Sequence, residues 1–160
     1  MSPRRYTPPM RDRSSASRLL FLCTGNFYRS RFAEEYWNAR AEQEALAWRA
    51  DSRALADPPT AENLTSMSSD ALAELARLGL RPRGAERAPL SMRGEEFARY
   101  ERVIALDRDE HLPMVQRSFP SHMERIEYWD IGDVWKEEPE SAMRRLVRRL
   151  ELLMSELRAS

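Results

Sequence analysis

The segment that most restricts the fold is Arg18 to Cys23, RLLFLC, an apolar run stopped by Thr24-Gly25-Asn26. It is too short for a helix and too continuously apolar for a strand with one wet face. That pattern suits a strand buried on both sides, as in a parallel sheet covered by helices. A helical stretch follows at once, with Phe32, Ala33, Tyr36 and Trp37 at i, i+1, i+4 and i+5. Strand, tight loop and helix in direct succession open an α/β fold.

The remaining elements continue the alternation. A second, weaker strand is expected near Leu46 to Ser52, and Asp57-Pro58-Pro59 breaks the chain after it. Ser69 is placed to cap a helix carrying Leu72, Leu75 and Leu78, with Gly79 suited to the C′ position. Arg81 to Pro89 reads as loop, and Glu95 to Tyr100 as a short helix. RVIAL, Arg102 to Leu106, is the second clear buried strand, and Arg125 to Trp129 a further one. The last helix has the plainest pattern: Met143, Leu146, Val147, Leu150, Leu153, Met154 and Leu157 share one face. Pro139 suits its first turn, and Glu at the start with Arg further in complements its dipole. The expected architecture is a single three-layer α/β domain, residues 18–160, with a four-stranded parallel sheet and helices on both faces. Residues 1–17, with Pro, Ser and Arg and no apolar period, are expected to form a disordered tail. No apolar core follows the basic residues there, so it does not read as a secretory signal.

Composition removes several function classes. The 160 residues carry 26 basic and 26 acidic side chains, so the basic face of a nucleic-acid binder is not expected. No apolar run approaches a membrane span. The single Cys, Cys23, rules out an intramolecular disulfide and is compatible with a reducing, cytoplasmic setting. His111 and His122 lie far from it along the chain, and no spacing suggests a metal site. A monomer or weak dimer is expected.

The chemistry gathers in Cys23-Thr24-Gly25-Asn26-Phe27-Tyr28-Arg29-Ser30. A helix N-terminus offers unpaired N–H groups and the positive end of its dipole to an anion. A loop entering it can curl so that successive amides face one anion. Gly25 supplies conformational freedom, and Asn26 tolerates the left-handed region. Arg29 closes the loop with a planar fork able to hold two phosphate oxygens. Cys23 then faces the anion, where the dipole and the guanidinium favour thiolate over thiol. Such a thiolate attacks phosphorus, and Ser30 can donate to it when it leaves. No cofactor or metal is required, since amides and Arg29 neutralise the anion.

LLFLCTGNFYRSRFAEEYW resembles the N-terminal signature of the low-molecular-weight protein tyrosine phosphatases, whose loop reads Cys-x-Gly-Asn-x-Cys-Arg-Ser-Pro. Cys23, Gly25, Asn26, Arg29 and Ser30 match it. Trp48 to Ser52 resembles the family's second-strand segment, and Glu95 to Asp107 the segment through its third strand. The resemblance spans about residues 18–158. It implies a phosphatase acting on aryl phosphates, with a phosphotyrosine-containing protein or a small aryl phosphate as partner. Tyr28 replaces the family's second loop Cys, so Cys23 lacks a disulfide partner against oxidation. Arg31 replaces the Pro, which should add charge at the site mouth. The family supports its loop with an Asn, two Ser and a His. Asn26, Ser30 and Ser52 fill the first three roles. The His position falls near Gly84, so weaker loop support is expected.

An aryl leaving group needs a proton. The family supplies it from an Asp-Pro before the last helix, and here Tyr128 to Trp135 (YWDIGDVW) occupies that region without one. Asp133 is the assigned acid, from its distance to the apolar face that begins at Met143, and Asp130 is the reserve. Val134 in place of Pro loosens that loop. Phe27, Tyr28, Trp129 and Trp135 are candidates to wall the pocket, with Thr24, Gly25, Asn26 and Ser30 also placed against substrate. Asp107 reads as structural. Two alternatives stay open on the same fold: arsenate reduction with an external small thiol, and a phosphoprotein-binding module without turnover.

Overall fold

The computed structural model describes residues 16–59, 66–133 and 136–159. The first 15 residues of the expected tail lie outside that range, and Ser17 already belongs to the first strand. Four strands, β1 (Ser17–Cys23), β2 (Trp48–Ala54), β3 (Arg102–Ala105) and β4 (Ile126–Tyr128), form a parallel sheet in the order β2-β1-β3-β4. Four α-helices pack on it: α1 (Arg29–Gln43), α2 (Ser69–Arg77), α3 (Arg108–Ser118) and α4 (Pro139–Ala159).

The apolar run of β1 is continuous because β1 is central and both faces are covered. Leu19 and Phe21 point to a core shared with Phe32, Trp37, Leu75, Leu146 and Leu150 from α1, α2 and α4. Leu20 and Leu22 point the other way, toward Phe97, Val103, Val115 and Ile126. The period of two along a strand thus divides one hydrophobic run between two cores. In β2 only alternate residues, Ala50, Ser52 and Ala54, are buried, as an edge strand requires. Asn38 of α1 pins that edge by accepting from Ala50 N at 2.8 Å and donating to Ala50 O at 3.0 Å.

Several expectations shift. Ser68, not Ser69, caps α2, accepting from Asp70 N at 3.1 Å. Gly79 beyond the Leu78 cap takes φ 74°, the left-handed value that favours Gly at C′. The short helix near residue 95 is a 3₁₀ turn, Gly94–Arg99. α3 was not anticipated. Pro113 sits inside it and its apolar stripe is thin, with only His111 and Val115 buried. Its end signals were nonetheless present: Asp107 in the N-cap position, Asp109 and Glu110 in the first turn, Arg117 in the last.

β1 and β3 lead to opposite sides of the switch in strand order, and the loop after β1 opens there. Ligands of open α/β sheets bind at such points, beyond the carboxyl ends of the strands.

Candidate active site

Residues 24–28 leave β1 and enter α1 without a side-chain N-cap, since Tyr28 makes no capping bond. The first intrahelical bond runs from Phe32 N to Tyr28 O at 3.0 Å. The amides of the first turn are therefore available to an anion. The left-handed turn that curls the loop falls on Asn26, at φ 51°, and not on Gly25. Cys23, Thr24, Gly25, Phe27, Tyr28, Arg29, Pro59 and Asp133 line one cleft of about 310 Å³, within the range of small-ligand sites. Tyr28, 5% exposed, also packs into the core, with its hydroxyl donating to Pro139 O at 3.3 Å.

Asn26 and Ser30, expected against substrate, are fully buried and turn their side chains to the rear of the loop. Donor counting fixes the direction of that network from Asn26 through Ser52 to Glu34. Asn26 Nδ2 gives one hydrogen to Ser30 Oγ (2.9 Å) and one to Ser52 Oγ (2.8 Å). Ser52 passes its own hydrogen to Glu34 Oε1 at 2.7 Å. Ser30 Oγ lies 2.9 Å from Cys23 Sγ. Having accepted from Asn26, Ser30 keeps its own hydrogen and one lone pair, so it donates to the sulfur when Cys23 is a thiolate and can accept from it when Cys23 is a thiol. Asn26 Oδ1 accepts from Leu90 N at 3.0 Å and from Arg87 Nη1 at 3.1 Å.

Arg87 corrects the expectation of weak support. It lies just beyond Gly84 and supports the loop from there, reaching Asn26, Ser52 Oγ (3.2 Å) and Glu34 (3.2 Å) together. Burial pushes the Glu34 carboxyl above its ordinary range, with Arg87 opposing. No sequence pattern marks Arg87 within its irregular loop. Arg31 is a second correction. It is fully buried behind the loop, not at the mouth, and donates to Gly84 O at 2.8 Å and to Asn26 O at 3.4 Å. Burial and the neighbouring Arg87 charge lower its pKa to about 10. In place of a rigid Pro, the chain stiffens its loop from below with two guanidiniums.

Arg29 is 1% exposed. Its Nη1 donates to Ile131 O at 2.9 Å, and its Nη2 lies 2.7 Å from Glu110 Oε2 and 3.4 Å from Asp133 Oδ2. Burial alone would lower its pKa, but Cys23, Glu110 and Asp133 prevail and raise it. Glu110 was missed because α3 was missed. Its carboxyl is held well below the usual range: burial opposes the charge, but His111, Arg29 and Thr24 outweigh it. His111 is fully buried, its Nδ1 accepting from Asp107 N at 3.0 Å. Its Nε2 lies 3.1 Å from Glu110 Oε2, a contact too poorly directed to count as a hydrogen bond.

The two candidate acids separate. Asp133 lines the cleft with its side chain 28% exposed. Asp130 is 79% exposed and pairs with Arg145 at 2.9 Å, away from the cleft. Trp129 does not wall the pocket: it is 6% exposed in the core, 6.1 Å from Phe21, with Arg149 over its ring. Val134 and Trp135 lie outside the described residues. Asp107, expected to be structural, is buried and paired with Lys136 at 2.8 Å. Among the described residues, no helix is long and apolar enough to cross a membrane.

The family profile of the low molecular weight phosphotyrosine protein phosphatases matches residues 18–158. The chain belongs to that family. It is a phosphatase of the tyrosine phosphatase class, and the arsenate reductase alternative is not favoured. Solved structures share its fold at low identity. The low molecular weight protein tyrosine phosphatase of T. tengcongensis is 22% identical, with TM-score 0.73 over 88% of this chain and 99% of that one. YfkJ from Bacillus subtilis is 18% identical, with TM-score 0.77 over 91% and 96%. Vibrio vulnificus Wzb, solved with benzylphosphonate, is 12% identical, with TM-score 0.70 over 91% and 99%. No curated protein sequence matches the chain.

Proposed function

We propose that this phosphatase hydrolyses aryl phosphate monoesters, protein phosphotyrosine foremost, through a cysteinyl-phosphate on Cys23. The observation that carries the reading is one cleft lined by Cys23, Arg29 and Asp133 together. The Cys23 thiolate forms the S–P bond as the P–O bond to the aryl group breaks. Asp133 delivers its proton to the departing oxygen. Water then attacks phosphorus, giving its proton to the Asp133 carboxylate, and Cys23 leaves as a thiolate to which Ser30 donates. Arg29 and the first-turn amides carry the phosphoryl charge. Phe27 and Tyr28 offer aromatic walls suited to a phenyl ring, and benzylphosphonate in the Vibrio vulnificus relative is a ligand of similar shape.

The test is hydrolysis of para-nitrophenyl phosphate without added metal, at pH 5 to 8, by wild type, Cys23→Ser, Asp133→Ala and Asp130→Ala. Turnover should vanish in Cys23→Ser and fall about 10² to 10⁴-fold in Asp133→Ala, while Asp130→Ala stays near wild type. A large loss in Asp130→Ala with none in Asp133→Ala would reverse the acid assignment. Phosphate binding by wild type without turnover would instead favour a phosphoprotein-binding module.

A further inference from the structure

Arg29 can act as a bidentate clamp only if its fork is held in one plane with one edge toward the anion. Its own backbone cannot do this, because three flexible methylenes separate the guanidinium from α1. On the cleft side Asp133 stands 3.4 Å from Nη2, a contact that competes with substrate for the same nitrogen. On the inner side Ile131 O accepts from Nη1 at 2.9 Å, and Glu110 Oε2 lies 2.7 Å from Nη2. Glu110 does more than pair with Arg29. Its Oε2 also accepts from the Thr24 hydroxyl, so one carboxylate oxygen ties the residue after Cys23 to the residue that closes the loop. Both contacts and the His111 approach fall on Oε2, while Oε1 is buried without a hydrogen-bond partner. A carboxylate serving only to neutralise charge would share its two oxygens; this one is aimed. Asp107, one turn earlier, is occupied by Lys136 and leaves the task to Glu110.

We propose that Glu110 is a positioning residue: it ties both ends of the phosphate loop together and sets the plane of the Arg29 fork, so that phosphate rather than Asp133 engages the guanidinium. This rests on the reading of the cleft as a phosphate site, but not on turnover.

Two readouts test it. Binding of inorganic phosphate is measured by calorimetry for wild type, Glu110→Ala and Glu110→Asp. The guanidinium N–H resonances of Arg29 are followed by NMR in ¹⁵N-Arg protein, assigned with Arg29→Lys. A charge-neutralising role predicts tighter phosphate in Glu110→Ala, since a nearby negative charge has gone, and a wild-type Glu110→Asp, since the charge remains. Positioning predicts the opposite: both variants bind phosphate about tenfold more weakly, the worth of one charge-assisted hydrogen bond. The shorter Asp fails because it cannot reach Arg29 and Thr24 at once. The Arg29 N–H signals, held separate in wild type by restricted rotation, merge in both variants. Should Glu110→Ala fail to fold, Glu110→Asp carries both readouts. Phosphate binding unchanged or tighter, or an unchanged Arg29 pattern, overturns the proposal. A wild type that binds phosphate but turns over no aryl phosphate would end the catalytic reading and leave this one to its own measurements.

Discussion

Asn26 is where the loop's conformation and its hydrogen bonding meet, and replacing it separates the two. The residue is fully buried at φ 51°. Its side chain donates to Ser30 and Ser52 and accepts from Leu90 N and Arg87. At about 1 kcal/mol per bond, losing all four removes about 4 kcal/mol. A β-carbon without a local polar partner adds about 1 to 2 kcal/mol for the left-handed backbone. Asn26→Ala should therefore destabilise by about 5 kcal/mol, and Asn26→Gly, which has no β-carbon, by about 1 kcal/mol less. Urea unfolding at pH 7 measures both, read as midpoint shifts at constant slope. Equal losses for Ala and Gly would refute the backbone part of the reasoning. A loss below about 2 kcal/mol in Asn26→Gly would refute the hydrogen-bond part. Phosphate binding should weaken in both, because the loop loses the side chain that ties it to Ser30, Ser52, Arg87 and Leu90.

Arg87→Ala leaves the Glu34 carboxylate without its cation in a mostly buried setting. It should cost about 2 kcal/mol by urea unfolding, below the 3 to 5 kcal/mol of a wholly buried pair, and Glu34→Gln in the same chain should restore part of it. Burial holds His111 below its ordinary pKa, so the unfolded chain takes up a proton first as pH falls. The stability tied to neutral His111 is full above about pH 6.5 and declines below it, by at most about 1.4 kcal/mol per pH unit. His111→Asn should flatten the stability profile between pH 6.5 and 5; an unchanged slope would discount His111. With Cys23 the sole cysteine, peroxide should add oxygen to it and form no internal disulfide, as intact-mass spectrometry would show. Added thiol should rescue only the first oxidation stage.

Much of this was legible in the chain because it is local. RLLFLC followed by Thr-Gly-Asn specified a buried strand and a loop, and the α4 stripe from Met143 to Leu157 specified a long packed helix. Cys23, Arg29 and Ser30 could be named because strand, loop and helix N-terminus are consecutive. What escaped depends on distant partners. Arg87 has no pattern of its own and acquires a role only when its loop folds over Asn26. Glu110 was hidden by α3, whose interior Pro113 and thin apolar stripe mask capping signals that were there to be read. Arg31 was placed at the mouth because it stands where the family has the Pro after Arg-Ser; inside, carbonyl oxygens of Asn26, Gly84 and Ala85 accept from its two Nη atoms, while its Nε is buried without a hydrogen-bond partner. Trp129 was a candidate for the pocket wall from its neighbours in the chain; its packing near Phe21, with Arg149 over its ring, depends on distant partners.

The loop from Cys23 to Ser30 precedes its supports along the chain, which arrive from Ser52, Arg87, Glu110 and Ile131. During synthesis Cys23 and Arg29 leave the ribosome before Arg87, Glu110 and Ile131 exist. The nascent chain thus carries a thiol without a formed clamp until the segment through Ile131 has been made. Because parallel pairing across long sequence separations forms slowly, competence appears in one late step. A ribosome stalled before residue 110 would display Cys23 and Arg29 without Glu110 or Ile131 to hold the guanidinium.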